Sequence, residues 1–284
     1  MTPDTPTHGR ARPGPDNTAK GAQETMTRTA PKQTDLARRL TAELLGTALL
    51  VTVVVGSGIA AERLSPGDVG LQLFENSTAT FLGLTVLILL FGPVSGAHFN
   101  PVVSAADWLL GRRAGTGLSG ADVAAYTVAQ VVGAVAGAEL ANLMYQVPLG
   151  ELSTKDRTGG PVWLGEVVAT AGLVALVMAL ARTGRGVLAA PAVGAYIGAA
   201  YWFTSSTSFA NPAVTIGRVF SDTFAGIAPG SVPGFVVAQL VGGLVAIGLV
   251  GWLYPHIGES ADDVVVPHGH RRGRRTDTTP RSTR

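Results

Sequence analysis

The chain has 284 residues, of which 46% are hydrophobic and only 14% are charged, against about a quarter charged in an ordinary soluble domain. The charges gather at the ends: residues 1–39 hold seven Lys/Arg and four Asp/Glu, residues 256–284 hold six and four, and 19 remain for the 216 residues between. This excludes a water-soluble enzyme of one or two domains and indicates a chain whose middle is surrounded by lipid.

Residues 1–35 and 258–284 are predicted to be disordered tails, because they lack any apolar run that could offset the entropy of ordering. No apolar segment precedes Leu36, so a signal peptide is not expected. The basic residues lie in tails and short loops and not in an aromatic-interleaved patch, so nucleic acid is not an expected partner.

Six apolar windows long enough to cross a bilayer lie between the tails. They span roughly 37–61, 74–94, 121–145, 162–182, 187–205 and 234–254. Six crossings bring both termini to one side, and the tails and loops of that side carry 17 of the 21 Lys/Arg. The positive-inside rule therefore predicts a multi-pass protein with both termini in the cytoplasm.

Two further apolar segments, 96–111 and 207–222, are too short to cross, and a proline interrupts each of them early. Short, proline-broken segments at corresponding positions of two halves are typical of re-entrant half-helices that line a central site. The predicted fold is an all-α membrane protein with six transmembrane helices and two half-helices.

An internal repeat supports this arrangement and divides the membrane domain, residues 36–257, into halves of about 36–147 and 160–257. Glu43, Asn100 and Gln130 recur in the same order as Glu166, Asn211 and Gln239, each within a similar local sequence. Because each half has three crossings, the second half is inserted upside down relative to the first, and the half-helices can meet at the midplane.

The dipeptides Asn100-Pro101 and Asn211-Pro212 predict two helix starts, since Asn is a favoured N-cap and Pro a favoured first residue. The half-helix tips are then Pro101, Val102, Pro212 and Ala213. If the tips meet, the positive ends of two helix dipoles and two side-chain amides face one place, which suits neutral hydroxyl-bearing solutes and repels cations. The segments before each tip are predicted to be extended backbone, which is tolerated at membrane depth only if its carbonyls face water or protein.

Glu43 and Glu166 lie within apolar spans, where an ionisable side chain is energetically costly. We favour a structural role in which each carboxylate accepts backbone N–H groups of the segment before a half-helix, with Gln130 and Gln239 as interhelical polar contacts. The alternative is a pair of proton-coupling carboxylates, as in a transporter.

Together, Ser-Gly-x-His-x-Asn-Pro at 95–101, Asn-Pro-Ala at 211–213 and a Glu early in spans one and four resemble the aquaporin, or major intrinsic protein, family. The resemblance covers about residues 37–255. It implies a homotetramer with one pore per subunit in the plasma membrane, in bacteria the inner membrane. It also implies passive conduction of water or small uncharged solutes, Asn100 and Asn211 as pore donors, and His98 as a residue of the pore wall.

One position departs from the family pattern. The family usually has Arg directly after the second Asn-Pro-Ala, as part of the selectivity filter, whereas this chain has Val214. Alignment to the family suggests that the other filter positions are Leu82, Tyr201 and Ser208. Arg218 follows one helical turn after Val214; it is expected to mark the end of the half-helix, with displacement into the pore as the alternative.

A filter of Leu, Tyr, Ser and Val is wider and less charged than one with Arg, so the hypothesis is a channel for glycerol, urea or neutral metalloid hydroxides such as arsenous acid. The chain resembles bacterial members with Val at this position, a subgroup often associated with arsenic handling, and this resemblance implies such a role. An ion- or proton-coupled transporter and an anion-permeable pore are the alternatives. No nucleophile, base and acid set and no metal cluster occurs in the spans, so no enzyme, cofactor or metal site is expected.

Overall fold

The structure is a computed structural model that describes Met1, residues 35–112 and residues 115–254. The predicted tails therefore lie outside the described residues, except for Met1 and Asp35. The described chain contains eight α-helices. They are α1 (Leu36–Leu64), α2 (Val69–Ser95), α3 (Pro101–Gly111), α4 (Gly120–Tyr145), α5 (Gly160–Arg182), α6 (Ala189–Phe203), α7 (Pro212–Gly217) and α8 (Val232–Leu253).

Six of these helices are long and apolar enough to cross a membrane, namely α1, α2, α4, α5, α6 with the turn before it, and α8. The sequence prediction of six spans is confirmed, with ends that differ by a few residues. Within the described ranges the chain forms helices and turns and no strand, which confirms the all-α fold class.

The helices α3 and α7 are the two predicted half-helices. They have 11 and six residues and so reach only about 16 Å and 9 Å at 1.5 Å per residue, well short of a bilayer core. Helix α7 is shorter than the apolar segment 207–222 suggested, because it ends at Gly217 and continues as a 3₁₀ turn, Arg218–Phe220.

Six crossings place the start of α1 and the end of α8 at the same end of the bundle, which we call the terminal face. Arg112, residues 115–119 and the loop 183–188 belong to it. The loops 65–68, 146–159 and 221–231 belong to the other end, which we call the opposite face. Helix α3 runs from mid-bundle towards the terminal face and α7 runs from mid-bundle towards the opposite face.

Glycines allow the closest helix packing. A side chain at Gly133 or Gly137 of α4 would collide with the carbonyls of Leu44 and Ala48 on α1, and one at Gly242 of α8 would collide with the carbonyl of Val167 on α5. Small residues let backbones approach where burial of apolar side chains gives little advantage over lipid. The α1–α4 and α5–α8 pairs thus form equivalent walls that hold the half-helices between them.

Candidate functional site

Asn100 and Asn211 are the N-caps of α3 and α7. The Oδ1 atom of Asn100 accepts a hydrogen bond from the N–H of Val102 at 3.0 Å, and that of Asn211 accepts from Ala213 at 3.0 Å and Val214 at 3.3 Å. Proline follows each Asn at the first helical position, where its missing N–H costs nothing. Both local sequences therefore form helix starts, and both asparagines are buried.

The asparagine amide groups join the two half-helices. Nδ2 of Asn100 donates to the carbonyl of Ala210 at 2.7 Å, and Nδ2 of Asn211 donates to the carbonyl of Phe99 at 2.7 Å. An amide NH₂ carries two hydrogens, so each group keeps one donor after this bond. Both asparagines line the central cavity, which places the two remaining donors and two helix N-termini at one point.

Glu43 holds the segment before the first tip. Its Oε1 accepts from the N–H of His98 at 2.9 Å and from Ser95 Oγ at 2.7 Å, and its Oε2 accepts from the N–H of Phe99 at 2.7 Å. The carboxylate is fully buried. Several donors stabilise a buried carboxylate that would otherwise be costly.

Glu166 has the equivalent position in the second half. It accepts from the N–H of Phe209 and of Ala210, both at 2.8 Å, and from Gln239 Nε2 at 2.6 Å. The two carboxylates thus bind the two residues directly before each asparagine.

Gln130 and Gln239 complete the same pattern. Gln130 Nε2 donates to Glu43 Oε2 at 2.7 Å and to Ser104 Oγ at 3.2 Å, and Gln239 Nε2 donates to Thr215 Oγ1 at 2.9 Å as well as to Glu166. Ser104 and Thr215 were missed by sequence reasoning. Each lies four residues after its asparagine, so their equivalent places in the repeat could have indicated them.

The backbone before each tip is not simply extended, and this corrects the sequence prediction. Ala97 and Phe99 have φ of 50°, and Ser208 and Ala210 have φ of 51° and 50°. Left-handed backbone costs a non-glycine residue about 1 kcal/mol or more. The hydrogen bonds from these segments to the two glutamates hold them in this conformation.

His98 lines the cavity, and its Nδ1 lies 3.0 Å from Ser104 Oγ. Its ring packs edge-on against Tyr126 of α4 at a centroid distance of 5.6 Å. Tyr126, also missed from sequence, donates to the carbonyl of Ser95 at 2.9 Å and accepts from Arg39 Nε at 2.8 Å. This contact ties the segment before the first tip to α1 and α4.

A cavity of about 420 Å³ is lined by both members of the asparagine pair. Its lining includes His98 and Ser208 of the two segments before the tips. Most of the other lining residues are apolar; they include Leu50, Leu84, Val103, Leu173, Val193 and Ile197. A lining with both polar and apolar groups fits solutes that have both hydroxyl groups and a carbon skeleton.

Three of the four predicted filter residues lie together on this cavity. Tyr201, Ser208 and Val214 are buried and line it, and Tyr201 Oη lies 3.1 Å from Thr80 Oγ1 of α2. Leu82 does not join them: its side chain is 55% exposed on the outer surface of α2. The prediction for Leu82 was wrong because it chose the wrong side of the helix: Thr80 and Leu84, two residues away on either side, line the cavity, and Leu82 does not.

Arg218 directly follows α7 and is therefore at the end of the half-helix, as expected. It is also 2% exposed and lines the same cavity as Val214. Arg218 therefore lies at the end of the half-helix and also lines the cavity, so the two roles considered from the sequence do not exclude each other.

The remaining tip residues serve the helix starts. Pro101 and Pro212 are the first helical residues, and Ala213 is fully buried. Val102 belongs to a cluster of buried residues that includes Ala246 and Val250 of α8, and its side chain lies beside Gly243 of the same helix.

Comparison with known proteins places these features in context. A family model described as Major intrinsic protein matches residues 30–210. The chain is 53% identical to aquaglyceroporin AqpS of Rhizobium meliloti over 220 residues, which cover 77% of this chain and 91% of that protein. It is 32% identical to a glycerol uptake facilitator protein of Pseudomonas aeruginosa, over 72% and 80% of the two chains.

Among solved structures, the aquaglyceroporin from Plasmodium falciparum matches with a TM-score of 0.56 at 19% identity. The match covers 78% of this chain and 99% of the other, and it shows the same fold.

Proposed function

The chain belongs to the major intrinsic protein family, and from this premise we propose how its cavity works as a passive membrane channel for water and small neutral solutes. Solutes pass the asparagine pair in single file and are not coupled to an ion gradient.

The observation that carries this proposal is the convergence of two half-helix N-termini on Asn100 and Asn211. Each amide is fixed by a 2.7 Å bond to the opposite half and has one hydrogen left for a solute oxygen. Two partial positive charges at the same point disfavour cations. A neutral molecule with hydroxyl groups can replace its water contacts there, whereas a cation meets the amide donors and the positive ends of two helix dipoles.

The solute range follows from the part of the cavity near the opposite face. Thr80 and Tyr201 contribute one hydroxyl group each to its lining, and Val214 contributes an aliphatic side chain. Val214 is smaller than the Arg usual in the family. We therefore expect glycerol, urea and neutral metalloid hydroxides such as arsenous acid to pass in addition to water. The names of the two relatives, aquaglyceroporin and glycerol uptake facilitator, support a channel of this width.

A coupled transporter is the alternative in which Glu43 and Glu166 carry protons. The hydrogen bonds argue against it, because both carboxylates accept from the N–H groups that shape the pore. Protonation would remove acceptors that these N–H groups need. An anion-permeable pore is the other alternative, and chloride currents across a planar bilayer would reveal it.

Localisation follows from membrane spans and charge. We propose a bacterial plasma-membrane protein with both termini cytoplasmic, because the opposite-face loops contain only Lys155 and Arg157 and the last turn of α1 adds Arg63, whereas 17 of the 21 Lys/Arg lie in the tails and loops of the terminal side. A homotetramer is expected from the family resemblance, and native mass spectrometry of the full chain in detergent tests it.

Stopped-flow light scattering of proteoliposomes tests the function directly. Vesicles that contain the full chain should swell in glycerol, urea and arsenous acid faster than empty vesicles, in addition to their water response. Fast water flux with glycerol, urea and arsenous acid all excluded would contradict the wide pore. Vesicles that show neither water nor solute flux above empty vesicles would contradict the channel itself.

A further inference from the structure

The position that usually carries the filter charge is Val214 in this chain, yet a buried arginine lines the same part of the cavity. We propose that Arg218 is the fixed positive charge of this constriction, placed one helical turn beyond the usual position, and that it excludes protons and cations there. This inference rests on the proposed channel function and deepens it.

Two contacts hold the Arg218 guanidinium against the cavity wall. Its Nε donates to the carbonyl of Ala225, and its central carbon lies 3.4 Å from the centre of the Phe209 ring, over the ring face. Cation–π contact of this kind suits Arg more than Lys, because the planar group stacks. Phe209 is itself fixed by its N–H bond to Glu166.

The charge has no acidic partner within the described residues: the ion pair found there joins Arg39 and Asp122. The Nη atoms of Arg218 have no hydrogen-bond acceptor among the described side chains and backbone, and they are not among the occluded polar atoms. A buried, unpaired cation is costly unless water or a ligand solvates it. The cavity that Arg218 lines provides that contact, so its free N–H groups face the solute path.

Arg157 positions Arg218 from the loop 146–159. Its Nε donates to the carbonyl of Gly226 at 2.8 Å, its Nη2 donates to Phe224 at 3.3 Å, and its guanidinium carbon lies 5.2 Å from the Phe209 ring centre. Arg157 and Arg218 therefore bind the same three-residue segment, 224–226, and the same ring. The carboxylates nearby are engaged elsewhere, with Asp222 bound to Thr154 and Glu62 to the N–H of Phe224.

The stacked arrangement explains how a charge and a wide pore can coexist. An Arg that lies on Phe209 covers the wall, and the volume beside Val214 stays open. In the usual family pattern one arginine sets both the width of the pore and the exclusion of charge. In this chain Val214 sets the width and Arg218 excludes the charge.

The test is proton entry into potassium-loaded proteoliposomes with valinomycin and an internal pH dye, measured beside glycerol swelling. Arg218→Gln should conduct glycerol within about twofold of the unmodified chain and let protons enter about tenfold faster, as expected from loss of one fixed charge in a narrow, weakly screened path. Arg63→Gln is the matched control, since Arg63 also contacts an aromatic ring and a backbone carbonyl, both of Tyr145, at the opposite face but outside the cavity.

Two further variants separate charge from anchoring. Arg218→Lys keeps the charge and loses the stack, so proton entry should stay near that of the unmodified chain; entry as fast as in Arg218→Gln would overturn the inference. The double variant Val214→Arg/Arg218→Gln returns the charge to the usual position and should block protons again while it slows glycerol. If Arg218→Gln does not assemble, Arg218→Lys decides, because proton entry about tenfold faster than in the unmodified chain would overturn the inference even though the charge is kept.

Failure of this inference can be distinguished from failure of the proposed channel function. An unmodified chain that conducts glycerol, with an Arg218→Gln variant that conducts glycerol and leaks no more protons, contradicts the inference and leaves the channel function standing. An unmodified chain that conducts no neutral solute contradicts the proposed function and the inference with it.

Discussion

Asn100 and Asn211 each donate a 2.7 Å hydrogen bond to the carbonyl that directly precedes the other asparagine. The same two side chains cap their own half-helices. Each asparagine therefore starts its own half-helix, binds the other half-helix and offers a donor to the cavity. The geometry of the site is set by these reciprocal bonds and exists before any solute arrives, as preorganised sites require.

Asn211→Asp should change charge selectivity more than folding. Aspartate keeps the oxygen that caps α7 but loses the NH₂ donor and adds negative charge, so sodium entry should rise and glycerol flux should fall. Radioactive sodium uptake into proteoliposomes measures this. Asn142→Asp is the control, because Asn142 makes a similar 2.7 Å bond to the carbonyl of Phe220 outside the cavity; equal sodium entry in both variants would count against a pore role for Asn211.

Glu166→Gln should lower the stability of the protein and leave its glycerol flux independent of ion gradients. The amide retains one acceptor oxygen for two backbone N–H groups, which should cost about 1–3 kcal/mol. We expect a lower melting temperature in detergent and glycerol flux that an uncoupler does not change. Glu139→Gln, which affects a single bond to the N–H of Gly150, should melt near the unmodified chain.

A coupled-transport role for Glu166 makes the opposite prediction. A Glu166→Gln protein that melts normally, while it loses a glycerol flux that depended on the proton gradient, would contradict the structural role.

Val214→Arg should narrow the pore in two ways. One is the longer side chain, which fills space beside Tyr201 and Ser208; the other is its guanidinium, which holds hydration water in the path. Glycerol swelling should fall much more than water flux. Val214→Thr has nearly the same volume and should preserve glycerol flux; if Val214→Arg matches it, Val214 does not border the narrowest part of the path.

Lys155 reports both the electrostatics and the orientation of the opposite face. Burial and the neighbouring Arg157 and Arg218 cations lower the pKa of Lys155 to about 8. Amine reagents require the neutral form, so labelling should reach half its maximum near pH 8, well below the usual value for lysine. The pH profile of labelling, followed by peptide mass spectrometry, measures this.

The same reagent tests the topology, because the other two lysines of the chain, Lys20 and Lys32, precede α1. In intact spheroplasts a membrane-impermeant reagent should label Lys155, and it should reach Lys20 and Lys32 only after lysis. Labelling of Lys20 before lysis would contradict cytoplasmic termini.

The repeat made much of the site accessible from sequence. Asn-Pro pairs in two short segments predict helix starts through local capping chemistry, and the ordered Glu and Gln matches connect each pair to a long helix. The structure has all six side chains in two equivalent groups. Such features depend on local sequence and on symmetry, both of which a single chain displays.

Features that depend on helix rotation or on long-range packing were not accessible. Leu82 was chosen from an alignment, and an error of two residues turns a side chain from the cavity to the outer surface. The direction of Arg218 depends on Phe209 and Ala225, which are distant from any capping or periodicity signal. The left-handed backbone at Ala97 and Phe99 arises because Glu43, more than 50 residues earlier, binds that segment.

The most direct test of the central claim is glycerol entry into proteoliposomes of the full chain with no ion gradient, with an imposed proton gradient, and with that gradient collapsed by an uncoupler. The account predicts rapid downhill entry at one rate in all three conditions, above that of empty vesicles. Entry that accelerates with the proton gradient and falls to the rate of empty vesicles when the gradient is collapsed would contradict a passive channel.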